Sequence, residues 1–176
     1  MDAALRRLSD TYAVKLAALD QASCQIHPRG DAAAWSVQDV VEHLILTYRE
    51  SVAQVEKYLR RGVPTTRKAN WKQVAAKVLV IDMGVFPRGQ PAPEFVCPGK
   101  CGLDCMDGDA LAALLREELN RLDMELMRCG EAFHAKPFAS HFRFGPLSAE
   151  QWRRFHVVHG RLHLAQITEI QKQIAR

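Results

Sequence analysis

The sequence has no long apolar run and no segment that reads as an export signal. Its most apolar short run, residues 78–81, is far below the roughly 20 residues that a membrane-spanning helix needs. The start of the chain is already amphipathic, so we interpret it as part of the fold and not as a targeting segment. We therefore expect a cytoplasmic protein that has no place in a membrane.

A concentrated basic region is also missing. Lys and Arg number 24 against 20 Asp and Glu, which leaves a net charge of +4, and the basic pairs are scattered among acidic residues. Nucleic-acid-binding proteins usually gather Lys and Arg on one face or in one run. The charge pattern is more typical of solvated helix faces, and we expect no nucleic-acid partner.

The five cysteines do not form an even set, and no export signal accompanies them, so a disulfide framework is not expected. Cys97, Cys101 and Cys105 are spaced evenly by four, which is not the spacing of zinc knuckles or of dithiol redox motifs. Two interpretations remain open. The cluster is either a flexible loop with oxidisable thiols or a second metal or redox site, completed by Cys129 or His134.

A chain of 176 residues fits a single domain, 1–176, and can bury a substantial core. Apolar residues recur at helical spacing in four long segments. The predicted helices span residues 2–24, residues 37–61, Asp107 or Asp109 to the residue before Gly130, and residues 149 to near the C-terminus. Residues 71–83 fit either a short helix or an extended segment. No convincing strand is present, and we predict an all-α, up-down-type four-helix bundle.

Local signals mark where two of these helices begin. Ser36 followed by Asp39, and Ser148 followed by Gln151, have the spacing of capping boxes. By contrast, residues 84–108 hold most of the glycines and prolines of the middle of the chain. They predict a long irregular surface loop between the second and third long helices.

The histidines carry the clearest chemical signal. His159 and His163 are four residues apart on the last predicted helix, so their rings share one face and can grip one divalent ion. No glutamate follows His159, which excludes the zinc-protease pattern. His43, beside the apolar stripe of the second helix, is the best candidate for a third ligand. His156 lies within one turn of His159 on the same helix, so it cannot supply a ligand from a second direction.

Nearby polar residues allow further interpretations. His134 and His141 lie in the segment before the last helix and could approach the mouth of such a site. Asp39 and Glu42 precede His43 on its helix. Carboxylates there could orient the imidazole from outside the ligand shell, but we expect them to face solvent.

The chain resembles the DinB-like family of metal-binding four-helix bundles, most closely an uncharacterised bacterial branch. The residues that carry this resemblance are Trp35-Ser36, His43-Leu44, Phe144 to Ser148, Trp152, His159, His163-Leu164 and Gln166. The sequence departs from the branch at Leu162, where the first histidine of a pair is usual, and at the cysteine cluster. The ligand position His163 is kept.

The resemblance implies that His43, His159 and His163 bind one divalent transition metal, with Zn, Ni or Fe as candidates. Three imidazoles leave at least one coordination position open, as in catalytic sites. Characterised relatives include transferases and isomerases that use bacillithiol or mycothiol, so a small-molecule thiol substrate is one implication and metal-assisted hydrolysis another. The alternatives are a non-catalytic metal-binding or stress-response protein and a bundle without metal. A homodimer also fits the resemblance.

Overall fold

The fold consists of α-helices and a short hairpin, six helices being present in the part of the chain that the structure describes. The computed structural model describes residues 1–28, 31, 33–87 and 89–174. The helices are α1 (Ala3–Leu16), α2 (Gln21–Gln25), α3 (Val37–Arg61), α4 (Trp71–Lys77), α5 (Gly108–Phe133) and α6 (Ala149–Ile174). The strands are β1 (Ala139–His141) and β2 (Gly145–Leu147). The prediction of an all-α bundle is confirmed, and the hairpin is an addition that the sequence pattern did not predict.

The four long helices do not simply alternate in direction. Helices α1 and α6 run the same way, while α3 and α5 both run the opposite way. The contacts that show this are Tyr12–Gly160 and Lys15–Gln171 between α1 and α6, Arg49–Glu118 and Glu56–Arg121 between α3 and α5, and Tyr48–His156 and His43–His163 between α3 and α6. Parallel neighbours need a connection that returns along the bundle, which explains the long segment between α3 and α5.

Capping fixes the start of both helices that carry the histidines. Ser36 and Asp39 exchange side-chain and backbone hydrogen bonds in a complete capping box, and α3 ends at Gly62 in the left-handed conformation. At the start of α6, Ser148 N–H donates to Gln151 Oε1 at 3.0 Å and Gln151 N–H donates to Ser148 Oγ at 3.3 Å. Both predicted boxes are confirmed, and they set the rotational phase of the histidines.

Two predicted helix ends are wrong. Helix α1 stops at Leu16 and not near Cys24, because Ala18 takes a left-handed φ of 66° and Asp20 caps the separate helix α2. Helix α5 continues past Gly130 to Phe133. Gly130 is not among the glycines with a positive φ, so it does not take the left-handed conformation that would end the helix there.

The segment between α3 and α5 is only partly a surface loop. Helix α4 continues as a π-helical turn over Val78–Asp82, and a short turn of 3₁₀ helix spans Glu94–Val96. Val80, Ile81 and Val96 are buried, although most of the segment is exposed. Arg88, inside the predicted loop, lies outside the described residues. The segment therefore supplies one wall of the site described below.

The core lies between the four long helices and is lined by their predicted apolar stripes. The hairpin closes one end, with Ala139 paired to Leu147 and His141 to Gly145 in antiparallel register. Within the described residues, no helix has the combination of length and apolar composition that a membrane span requires.

Candidate metal centre

The three predicted ligands meet inside the bundle. His43 lies on α3, and His159 and His163 lie one turn apart on the antiparallel α6; all three are buried. His159 Nε2 is 3.3 Å from His43 Nε2 and 3.0 Å from His163 Nε2. Among the residues that the structure describes, these three are the one group of potential ligands close enough to hold a metal ion.

The spacing of the nitrogens fits a single cation. Two imidazole nitrogens bound at about 2.0–2.1 Å around a tetrahedral ion are about 3.3–3.4 Å apart, and somewhat closer around an octahedral one. The two measured separations, 3.3 and 3.0 Å, fall in this range. The site therefore has room for an ion between the rings without rearrangement of the helices.

Hydrogen bonds at the far side of two rings determine which nitrogen is free. His43 Nδ1 lies 2.8 Å from the Val96 carbonyl oxygen, and His163 Nδ1 lies 2.9 Å from Gln166 Oε1. Because both partners are acceptors, each Nδ1 carries the proton and donates it. The Nε2 lone pairs of His43 and His163 are consequently left pointing at His159, as metal ligation requires.

Burial keeps the three imidazoles neutral. It lowers the pKa of His43, and it lowers that of His163 to about 4, with the neighbouring His43 as a second cause. Burial and then His163 lower the pKa of His159 well below its usual value. At neutral pH the cluster offers three uncharged imidazoles, so no net proton has to be released when a cation binds.

Two further histidines are buried beside the triad without joining it. His141, on β1, stacks on Phe144 at a centroid distance of 4.6 Å and makes a tilted contact with Phe155 at 4.8 Å. Its Nδ1 accepts from Arg143 N–H. His156 is fully buried, and neither of its ring nitrogens has a hydrogen-bond partner in the described residues. His134, the other connector histidine, is exposed at the end of α5. His141 therefore lies beside the site, as expected, whereas His134 does not.

Acidification is expected to destabilise the metal-free protein through His156. Burial lowers its folded-state pKa to about 3 from the usual 6.5, so the unfolded chain takes up the proton first as the pH falls. The stability that is present above pH 6.5 should therefore decline by about 2 kcal/mol per such histidine on going to pH 5.

Urea unfolding at pH 7 and pH 5, with a chelator present, measures this effect. His156→Phe should lose about 2 kcal/mol less than the wild type over that interval. His134→Phe removes an exposed imidazole and should keep the wild-type dependence. An unchanged dependence in His156→Phe would show that this ring is not buried in its neutral form.

The cysteine cluster does not form a second metal site within the described residues. Cys105 is exposed, whereas Cys97 and Cys101 are half-buried. The Cys97 thiol donates to the Pro93 carbonyl at 3.5 Å, and the Cys101 thiol donates to the Glu42 carbonyl at 3.7 Å. All five cysteines are free thiols. The two half-buried ones hold the loop against itself and against α3.

Glu42 does not face solvent, and that expectation was wrong. Its carboxylate is buried and accepts from the Gln38 amide at 3.1 Å and from Gly99 N–H at 2.8 Å. Asp39 is occupied by the capping box with Ser36. Neither carboxylate contacts the His43 ring; Glu42 instead fixes the loop whose Val96 carbonyl orients that ring.

A cavity of about 1570 Å³ reaches the triad. Its walls come from α3, α6, the hairpin and the loop before α5, and they include Trp35, Phe86 and Cys97. The Trp35 ring lies 5.1 Å from His43, and the Phe86 ring lies 5.4 Å from His159. The histidines are thus covered by aromatic rings but open to a space large enough for a small molecule.

The sequence did not predict two features of the site, the Val96 carbonyl that accepts from His43 and the Phe86 ring that packs against His159. A backbone acceptor leaves no mark in the sequence, and Phe86 lies in a segment without periodicity. A cue did exist for Gln166, which stands three residues after His163 on the same helical face.

Comparison with known proteins agrees with this arrangement. The family model that describes the DinB superfamily matches residues 4–167, which include all three histidines. Among curated proteins and among solved structures, none matches the chain.

Proposed function

Because the chain belongs to the DinB superfamily, we propose that it binds a divalent transition metal through His43, His159 and His163 and acts as a metal-dependent enzyme on a small molecule. Zn, Ni and Fe are the candidate ions, since imidazole ligands suit all three. The observation that carries the proposal is the convergence of three neutral Nε2 atoms at the wall of a large cavity. A closed structural site would have no need of such a space.

The surrounding residues prepare the site for a ligand. The Val96 carbonyl and the Gln166 amide hold two imidazoles in the required tautomer. Trp35 and Phe86 limit the access of water from their side. A divalent cation held there would supply Lewis-acid activation, which is more effective on a thiol than on water because the thiol is the stronger acid.

A thiol-dependent transfer suits the site better than hydrolysis. Among the described residues, the triad has no carboxylate close enough to share its ion. The acidic residues that line the cavity, Glu50 and Glu169, are both exposed. Hydrolysis gains from a general base beside the metal, whereas a thiol bound to such a cation would be acidic enough to release its proton to solvent water. A bacillithiol-type or mycothiol-type substrate is therefore our first choice, and metal-assisted hydrolysis is the second.

The test is a comparison of two reactions on metal-loaded protein. We expect conjugation of bacillithiol or mycothiol to chlorodinitrobenzene to exceed the background rate, with little hydrolysis of nitrophenyl acetate. The metal-free protein should lose the conjugation. If neither reaction rises above background and the metal has no exchangeable coordination position, the alternative of a non-catalytic metal-binding protein is favoured. If protein purified without a nickel column contains no metal, a plain interaction bundle is favoured.

Loss of the Gln166 side chain should weaken metal binding without removing a ligand. Gln166→Ala deprives His163 Nδ1 of its acceptor at 2.9 Å, so the ring can rotate or take the other tautomer. We expect a loss of roughly tenfold in metal affinity, measured by competition with a chromophoric chelator. The control is Gln173→Ala, near the end of the same helix, where the amide donates a hydrogen bond to Glu169 and lies far from the triad in sequence. Equal affinity in the two variants would contradict the assigned tautomer.

A further inference from the structure

The cavity is larger than a metal ion and its activated nucleophile require. Ligand pockets usually measure about 300–1,000 Å³, and this cavity measures about 1570 Å³. Cationic residues outnumber acidic residues along its walls. Among the described residues that line it, the cationic ones are Arg67, Lys68, Arg143 and Lys172, and the acidic ones are Glu50 and Glu169.

Three of these cations lack an acidic partner. Lys172 is paired with Glu169 at 3.8 Å. Within the described part of the chain, no carboxylate lies within the 4.0 Å of an ion pair from Arg67, Lys68 or Arg143. Arg143 is half-buried, and Arg67 and Lys68 are exposed. Unpaired cations along a concave, partly apolar surface create a positive potential that draws anions.

The three cations are held at the same end of the cavity. Arg143 lies in the turn of the hairpin, between β1 and β2. The segment with Arg67 and Lys68 is tied to this hairpin on one side by Thr65, whose N–H donates to the Phe138 carbonyl at 2.8 Å. On the other side, Ala69 packs against the Gly145 backbone so closely that a Cβ on Gly145 would lie 2.8 Å from Ala69 Cβ.

This basic end adjoins the triad through one aromatic ring. The ring of His141, two residues before Arg143, lies 4.8 Å from that of Phe155 in a tilted contact, and Phe155 stacks on His159 at 5.4 Å. Apolar surface lies beside this basic end, where Phe142, next to Arg143 in the hairpin turn, is in edge-to-face contact with Phe95 at 6.2 Å. A ligand that spans the cavity would thus have its charged group at the hairpin and its reactive group at the histidines.

We propose that Arg67, Lys68 and Arg143 form an anion subsite that binds the carboxylate or phosphate of a substrate with an apolar or aromatic body. The inference rests on the proposed function, since it assigns the substrate class of the same cavity. Three neutral imidazole ligands would leave the full charge of a bound cation uncompensated, which adds to the preference for an anion. Arg143 can hold a planar oxyanion through two parallel hydrogen bonds.

The experiment measures binding of four related probes to the metal-loaded protein by calorimetry. Phenylpropionate and phenyl phosphate carry the anion, phenylpropionamide is the neutral analogue, and phenylpropylamine carries the opposite charge. We expect either anion to bind about tenfold or more tightly than the amide. The stronger of the two anions identifies the oxyacid, and the amine should bind most weakly.

Substitutions of the three cationic residues test whether they cause the preference for anions. Arg143→Gln, and Arg67→Gln combined with Lys68→Gln, should each reduce anion binding about tenfold while amide binding stays the same. Arg143→Glu should raise the affinity for the amine relative to the anion. The matched control is Arg161→Gln, because Arg161 is exposed on α6 and does not line the cavity. It should leave the binding of all probes unchanged.

Two outcomes overturn the subsite: equal binding of anion and amide, including no measurable binding of either, and anion binding that survives in all three charge variants. The metal content of each sample is measured separately. A wild-type protein without metal would refute the proposed function, whereas a metal-loaded protein that fails to prefer the anions would refute the subsite alone.

Discussion

Replacing His159 by alanine is expected to abolish metal binding. His159 Nε2 lies 3.3 Å from His43 Nε2 and 3.0 Å from His163 Nε2, so it is the nitrogen that links the ligands from the two helices. Without it, His43 and His163 remain as a two-ligand site, which binds divalent cations far more weakly. We expect a loss of at least ~100-fold in metal affinity, since removing a residue that only hydrogen-bonds to a metal ligand already costs about 10–100-fold.

Elemental analysis and chelator competition on protein purified without a nickel column provide the measurement. The wild type should hold about one ion per chain, and His159→Ala almost none. His156→Phe is the control, because His156 is buried on the same helix but lies outside the triad. Circular dichroism must show that both variants keep their helices. Wild-type metal content in His159→Ala would mean that the ion, if present, binds elsewhere.

The second large effect is expected at Gly145, where the hairpin meets the segment of the cationic residues. Gly145 has a φ of +70°, and a Cβ there would lie 2.8 Å from Ala69 Cβ and 3.2 Å from Ala69 Cα. Gly145→Ala should therefore suffer both the left-handed strain, about 1–2 kcal/mol, and the overpacking, about 1–3 kcal/mol. We expect a total loss of about 2–5 kcal/mol of unfolding free energy.

Gly102→Ala separates the two causes. Gly102 has a φ of +63°, but nothing lies within 4 Å of an added Cβ, so only the backbone strain of about 1–2 kcal/mol should appear. Urea unfolding of the two variants beside the wild type gives the comparison. Equal losses of unfolding free energy in the two variants would show that the contact between Gly145 and Ala69 is not tight. That result would also contradict the anchoring of Arg67 and Lys68 to the hairpin.

The triad could be predicted because its signal is local to each helix. The four-residue spacing of His159 and His163 places both rings on one face, and the apolar stripe of α3 places His43 towards the interior. The capping boxes at Ser36 and Ser148 fix where each helix begins. These features depend on neighbouring residues only, so a single sequence carries them.

What could not be predicted depends on tertiary contacts. The strands of the hairpin have three residues each, too few to show an alternating pattern. Gly130 resembles a helix stop, yet its φ is not positive and α5 continues to Phe133. Glu42 looked like a solvent-facing residue because its partner, the Gly99 N–H, is a backbone group far along the chain. Such partners become visible only in the folded molecule.

The arrangement of the helices also explains why the middle segment takes part in the site. Because α3 and α5 run in parallel, the connection must return along the bundle and passes the open end of the triad. There the Val96 carbonyl accepts the His43 Nδ1 proton, and Phe86 and Phe95 line the cavity. An alternating bundle with a short connection would leave His43 without this partner.

X-ray absorption at the metal edge of the purified wild-type protein tests the central claim most directly. For zinc, we predict three imidazole nitrogens at about 2.0–2.1 Å, with the remaining position held by a light, exchangeable donor. In a sample freed of added and bound thiols, sulfur at about 2.3 Å would instead place the ion at the cysteines, and fewer than three imidazoles would break the triad. Either result would contradict the account of His43, His159 and His163 as one metal centre.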